Sequence, residues 1–426
     1  LVVVPLSLLL MRSRQMYAEL LVGFLLILIF SDSRQPVFYF ADKVKDVYLL
    51  FLLLFFLADT RYFQPLDTLV KRFVPFLVVA FITVILSPII LTSLQKTFSF
   101  TILLILIPNY MLTAMRRNGW EFMNFLLWTL LMFLAAGLVL KFVSPGITSL
   151  EGRYCGLMGN PNGIGLFSVT TLMFITIIAE RKPDILNNRQ KIFAYGIIIL
   201  SLILSGSRNA MFTGMIFLVF RFFYKMSPYI GFIAFVFAIF VYQIIESNFA
   251  LIVIGLGLQD FFRLETLQSG SGRVVAWTFG WENIAKNPVI GSGWGYTEDL
   301  YRKNSDILSI QGHQGNAHNS YITFWLDTGI FGLLFYLIGL IRSFIASAKQ
   351  TRSAIPLMYA LGFHAFFESW LTGSLNPFTI QMLLMLTFMS SAGILDNAEN
   401  PDENVALSSD DPDYSEVPAS DNTASN

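Results

Sequence analysis

Apolar residues along this chain come in long blocks, not with the period of two or 3.6 that marks strands and helices half-buried in a water-soluble core. A helix needs roughly 20 apolar residues to cross a bilayer, and somewhat shorter runs are completed by their flanks. Blocks of this kind lie near 16–30, 45–58, 73–91, 99–114, 121–141, 163–179, 191–206, 208–221, 229–246, 321–341, 354–371 and 376–394. They predict an all-α, polytopic fold of about twelve transmembrane helices. Residues 1–10 are apolar but too short to span, with no basic stretch before them and no small-residue cleavage site after, and are not counted. One long connection remains, about 247–320, and loops of that length carry function and short helices of their own. The expected divisions are an N-terminal membrane region (1–246), an external loop (247–320), C-terminal membrane helices (321–394) and a tail (395–426).

Basic residues give the blocks a direction, because positively charged loops stay cytoplasmic. Arg12 and Arg14, then Arg61, Lys71 and Arg72, then Arg116 and Arg117 mark three successive inner faces. Arg181, Lys182, Arg189 and Lys191 follow, then Arg221 with Lys225, then Arg342, Lys349 and Arg352. These clusters fall on alternate loops. Both termini are therefore expected in the cytoplasm and the long connection outside; Arg34 and Lys43 in the first outer loop run against the trend.

Composition agrees with a membrane protein: 55% of residues are hydrophobic and 13% charged, which excludes an ordinary soluble domain or a disordered chain. The formal charge is zero, from 28 bases and 28 acids, but nine of the acids lie in residues 395–426, which hold no Lys or Arg. The remaining body thus has about nine excess positive charges. The tail has too few large apolar residues to fold and is expected to be a disordered cytoplasmic extension. Its Asp411-Pro412-Asp413 is a chance match to the DxD of sugar-nucleotide enzymes. A single cysteine, Cys155, excludes a disulfide framework or a multi-cysteine metal site. The bases are scattered between apolar runs and form no stripe suited to nucleic acid.

There is no phosphate loop, zinc helix or nucleophile elbow in the chain. What remains is a set of polar residues where external loops meet apolar runs. His313 and His318 are two of only three histidines, in Gly312-His313-Gln314-Gly315-Asn316-Ala317-His318-Asn319-Ser320-Tyr321, which runs directly into an apolar block. An imidazole there can take a proton from an attacking hydroxyl. The plainer reading is that His318-Asn319-Ser320 caps a helix. In Ser271-Gly272-Arg273, Ser271 is a plausible N-cap that places Arg273 in a first turn, where a guanidinium can bind phosphate; an arginine on a solvated helix face is the alternative. Ser205-Gly206-Ser207-Arg208-Asn209-Ala210 is a very short external hairpin, and its Arg208 is either functional or snorkelling to the interface. Gly159-Asn160-Pro161-Asn162-Gly163, preceded by Glu151 and Arg153, carries strong turn dipeptides. His364 and Glu368, four apart in one apolar block, are expected on one helix face as a buried pair or a proton relay.

These segments together resemble the O-antigen ligase and polymerase superfamily of bacterial envelope proteins. The likeness rests on Arg208 in S-G-S-R-N-A, on Asn160-Pro161-Asn162, on S-G-R at 271–273 with the W-T-F-G-W-E-N-I-A-K-N-P-V-I-G-S-G-W-G that follows Val274-Val275-Ala276, and on H-N-S-Y at 318–321 followed by W-L-D-T-G-I-F-G-L-L. It implies a metal-independent, cofactor-free glycosyltransferase of the inner (cytoplasmic) membrane, in lipopolysaccharide or surface polysaccharide biosynthesis. Its donor would be a glycan on polyprenyl diphosphate, such as undecaprenyl diphosphate, and its acceptor a glycan or lipid A core at the periplasmic or exterior face. By the matching motifs Arg208 and Arg273 would hold the diphosphate and His318 would activate the acceptor hydroxyl, with His313, Asn319, Asn160 and Asn162 as secondary candidates. Ligase activity stands ahead of a polymerase or a protein O-oligosaccharyltransferase, because one large loop precedes the last three spans. From another class, a transporter or solute-uptake component would concentrate ionisable residues near the bilayer midplane, and here only His364 with Glu368 is expected deep.

Overall fold

The computed structural model describes residues 14–59, 68–234, 273–313 and 315–391, with a few isolated positions elsewhere. The acidic tail, residues 1–10, Ser271 and most of the span expected at 229–246 lie outside the described residues. What is described is almost entirely helical. The helices are α1 (Tyr17–Ser31), α2 (Tyr39–Ala58), α3 (Thr68–Ile85), α4 (Ile90–Val143), α5 (Pro161–Arg181), α6 (Asn188–Ser205) and α7 (Arg208–Met226), then α8 (Arg273–Ile284), α9 (Tyr296–Lys303), α10 (Ser305–Ile310), α11 (Ser320–Ala348), α12 (Ala354–Phe367) and α13 (Pro377–Ser391). Among the described residues, α4, α5 and α11 are long and apolar enough to cross a membrane by length and composition.

Local chemistry sets the boundaries that hydropathy leaves vague. The blocks at 99–114 and 121–141 are the two arms of α4, which breaks at Gly119 (φ 51°, ψ −133°). The block at 73–91 is displaced: α3 starts at Thr68 and ends at Ile85, since Pro88 drives Ser87 out of helical backbone. Asn160 opens α5 by accepting from the Gly163 amide at 2.8 Å, with Pro161 in the first turn. Asn187 and Gln190 close a reciprocal capping box on α6.

Contacts sort the helix ends into two sets. At one end Gln35 reaches the Ile147 carbonyl (2.8 Å), Gln95 reaches Asp46 (3.1 Å), Lys96 pairs with Glu298 (2.6 Å), and Trp294 donates to the Thr372 carbonyl (2.9 Å). At the other, Tyr17 donates to Asp59 (2.9 Å), Arg221 pairs with Glu180 (3.3 Å), Arg352 donates to the Lys225 carbonyl (3.0 Å), Ser347 meets Ser390 (2.9 Å), and Lys182 lies over the Trp120 ring. Successive helices run between these two sets.

The segment 287–297 is folded into the bundle beside α11. Ser292 and Gly293 amides donate to the Leu326 and Asp327 carbonyls, and the Ile330 amide donates to Pro288. This stitching uses the break in α11 at Gly329 (φ 68°, ψ −178°), where a side chain would strike the Val289 carbonyl oxygen. Asp327, 1% exposed, accepts from the Gly295 and Thr297 amides and the Thr297 hydroxyl, so a carboxylate on α11 fixes the entry to α9. Trp294 is fully buried among Phe76, Phe100 and Phe324. The loop is thereby pinned at the end of the bundle where the polar residues gather.

Candidate functional site

Glu368 is the centre of that gathering. Helix α12 stops at Phe367, and Glu368 has extended backbone (φ −147°, ψ 145°). Its carboxylate consequently leaves the α12 face. One oxygen accepts from Asn162 Nδ2 at 3.0 Å and from Arg273 Nη2 at 3.3 Å, and the other meets His318 Nδ1 at 3.2 Å. Burial works to raise this carboxyl, but the hydrogen bond and charge of His318 and the Arg273 guanidinium outweigh it and hold Glu368 below its usual range. The expectation that His364 and Glu368 share one helix face is therefore corrected, because the helix ends before Glu368 is reached. His364 is fully buried, edge-on to Trp370, and its carbonyl accepts from Asn209 Nδ2 at 3.3 Å.

His318 stands at the entrance to α11 in left-handed backbone (φ 45°), its amide donating to Asn316 Oδ1 at 2.9 Å. An ionised carboxylate only accepts, so in the neutral ring Nδ1 carries the proton and Nε2 keeps the lone pair. Nε2 lies on the Gly315 side, where a side-chain carbon at that glycine would come within 3.2 Å. The result is an imidazole with a carboxylate behind it and a basic nitrogen in front, the arrangement of a general base. The two readings of His318-Asn319-Ser320 divide between neighbours. Asn319 is the N-cap of α11, accepting from the Tyr321 and Ile322 amides, while its own amide donates to Ser369 Oγ; Ser320 Oγ donates to the Glu368 carbonyl at 2.6 Å. The cap thus ties the imidazole and the carboxylate backbone together.

Arg273, first residue of α8, has its guanidinium 5.8 Å above the Phe367 ring as well as on Glu368, with a quarter of the side chain exposed. Asn162 is held on its other side by Arg153, whose Nη2 donates to Asn162 Oδ1 at 3.2 Å and whose Nε donates to the Ser205 carbonyl at 3.0 Å. Arg208 begins α7 immediately beyond this hairpin, next to Asn209, which bonds to α12. His313 is buried, donates from Nε2 to the Asn316 carbonyl (3.0 Å), and meets the His318 ring edge-on at 5.8 Å. Asn160 caps α5 through the Gly163 amide.

Sequence reasoning thus placed His318, Arg273 and Asn162 among the candidates, and the fold brings them onto one carboxylate. It missed Glu368 as that carboxylate and Arg153 as a member. A signal for Glu368 did exist: it is the only acid between Asp327 and Asp396, at the outer end of an apolar block. Among the described residues no three potential His, Cys, Asp or Glu ligands converge.

Residues 193–337 match the family model described as O-antigen ligase. Over this segment, about a third of the chain, it is similar to the O-antigen ligases. No curated protein matches the chain. The O-antigen ligase segment holds Arg208, Arg273, His313, His318 and Asn319, whereas Arg153, Asn160, Asn162 and Glu368 lie outside it and reach it only through the fold. That similarity, with the long apolar helices, supports an integral membrane protein with a role in polysaccharide biosynthesis.

Proposed function

We propose that this protein transfers a glycan from a polyprenyl-diphosphate donor to an acceptor sugar at the external face of the bacterial inner membrane, in the manner of an O-antigen ligase. The observation that carries the reading is the convergence of His318, Arg273 and Asn162 on Glu368. His318 Nε2 removes the proton of the acceptor hydroxyl as it attacks the anomeric carbon, and the glycosyl–phosphate bond breaks with its electron pair on the leaving diphosphate. Arg273, with Arg208 from the neighbouring hairpin, neutralises charge that grows on that diphosphate. The bond to be broken arrives ready-made on the lipid, which accounts for a chain without nucleotide motifs and requires no metal in the reaction as proposed.

Orientation follows from charge. The helix ends that carry Arg116, Arg117, Arg181, Lys182, Arg221, Lys225 and Arg352 share the end opposite Glu368, and the positive-inside tendency supports an external site. The proposed topology keeps the twelve spans read from the apolar blocks, which include one expected at 229–246. Acceptor choice between lipid A core and a second lipid-linked repeat rests on the single large loop before the last three spans, which favours the ligase.

The test is His318→Ala and Arg273→Ala in a strain deleted for the gene, with the protein level in the membrane verified. Both variants should lack the long surface glycan and accumulate long chains on polyprenyl diphosphate. Single capped repeats on the lipid would reassign the activity to a polymerase, and normal surface polysaccharide in both variants would refute the site.

A further inference from the structure

Arg153 belongs to no motif that suggested chemistry, yet its placement is built with care. Ser149–Leu150 pairs antiparallel with Arg153–Tyr154 around Glu151 and Gly152, both with positive φ (49° and 76°), the geometry of a two-residue type I′ hairpin. Adjacent residues on a strand face opposite ways. Tyr154 is fully buried beneath the Lys141 ammonium, and Arg153 is turned toward the start of α5 and the α6–α7 hairpin.

There Arg153 imposes a direction on a hydrogen-bond chain. A guanidinium has donors only, and a carboxylate has acceptors only. Asn162 lies between the two, so its carbonyl must face Arg153 and its amide NH2 must face Glu368, as the 3.2 Å and 3.0 Å contacts show. The second arm of Arg153 holds the Ser205 carbonyl, the last residue of α6 and the base of the hairpin that presents Arg208.

We propose that Arg153 is a positioning residue of the transfer site: through Asn162 it orients the Glu368 carboxylate that seats the His318 imidazole, and through Ser205 it sets the hairpin that carries Arg208. The proposal rests on His318 acting as the general base. Without Arg153 the Asn162 amide is free to turn, Glu368 loses a donated hydrogen bond, and the imidazole loses the fixed partner that keeps its proton on Nδ1.

The experiment uses the full-length protein in lipid nanodiscs with a synthetic polyprenyl-diphosphate-linked repeat unit as donor. Arg153→Ala and Asn162→Ala should each lower kcat about ten- to a hundredfold, the loss expected from slight misplacement of a reacting group. Their double variant should be no slower than the worse single one, since both break the same chain. Independently of transfer, the 15N imidazole spectrum at alkaline pH should show His318 as the Nδ1–H tautomer in the wild type and as a mixture in Arg153→Ala and Glu368→Gln; with three histidines in the chain, His313→Gln and His364→Gln assign the signals. Losses that multiply in the double variant, with a raised KM for the donor, would mean that Arg153 touches the diphosphate itself and would overturn the proposal. An unchanged tautomer in Arg153→Ala would overturn it as well. If the wild type failed to transfer the glycan, the functional reading would fall, and the tautomer spectra would still decide the role of Arg153.

Discussion

Glu368 serves three donors with two oxygens, and the sharing decides what each can do. Glu368→Gln keeps the shape but can offer Nδ1 either an amide hydrogen or a weaker acceptor, so it should lower kcat about a hundredfold while protein and donor binding survive. Single-turnover rates in nanodiscs check this, and a rate within twofold of wild type would show the carboxylate to be structural. A second acid illustrates a carboxylate placed differently. Asp32, just past α1, accepts from the Gly159 amide but leaves Oδ2 buried without a partner. Burial raises it to about 6, against smaller opposing effects from Gly159, Lys45 and Arg34. The folded state then holds the proton more tightly than the unfolded chain, so stability falls as pH rises from about 4 to about 6, by up to roughly 3 kcal/mol. Asp32→Asn should therefore raise the melting temperature at pH 7.5 and leave it unchanged at pH 4, by thermal unfolding in detergent; equal gains at both values would contradict the assignment. At this scale the sequence announced Arg273 and His318 because arginine and histidine are rare at the edges of apolar blocks. It did not announce their partner, since Glu368 lies 50 residues from His318 and proximity across that distance is decided by packing.

Elements were legible as apolar runs and illegible at their ends. A hydropathy block records where a helix is greasy, not where its backbone turns, so 354–371 merged α12 with the extended Glu368 and the 3-10 turn at Trp370–Thr372. Calling that block one helix put Glu368 on the wrong face. The merged α4 is the converse case, two expected helices joined at Gly119. The loop 287–297 could not be read at all from periodicity, because it is held by amides and carbonyls along the break in α11 and by Asp327. That break gives a prediction of its own. Gly329→Ala must accommodate a side chain against the Val289 carbonyl in backbone that L-residues seldom adopt, and should cost about 2–4 kcal/mol of stability. Thermal unfolding of the purified variant checks it, and a melting temperature within a degree of wild type would refute the strain.

For the molecule as a whole, contacts among the described residues bring Arg221 to Glu180, Arg352 to Lys225 and Lys182 to Trp120, so these basic clusters share one end of the bundle. Sidedness itself is open to direct measurement. Arg117 and Glu151 are exposed at opposite ends of the bundle, and the native Cys155 is buried, with burial pushing its thiol up. In intact spheroplasts an impermeant maleimide should label Glu151→Cys and spare Arg117→Cys, wild type giving no signal. Labelling of Arg117→Cys instead would invert the molecule and move the candidate site to the cytoplasm.

The position of Glu368 after all its partners in the sequence has a consequence in time. Arg153, Asn162, Arg208, Arg273 and His318 are all synthesised first, and each can enter the membrane with its own helix. The carboxylate that gathers them directly follows α12, so a nascent chain has no seated imidazole until α12 and the residue after it have been made. A ribosome stalled before α12 would thus leave a bundle in which Asn162, Arg273 and His318 lack their shared carboxylate.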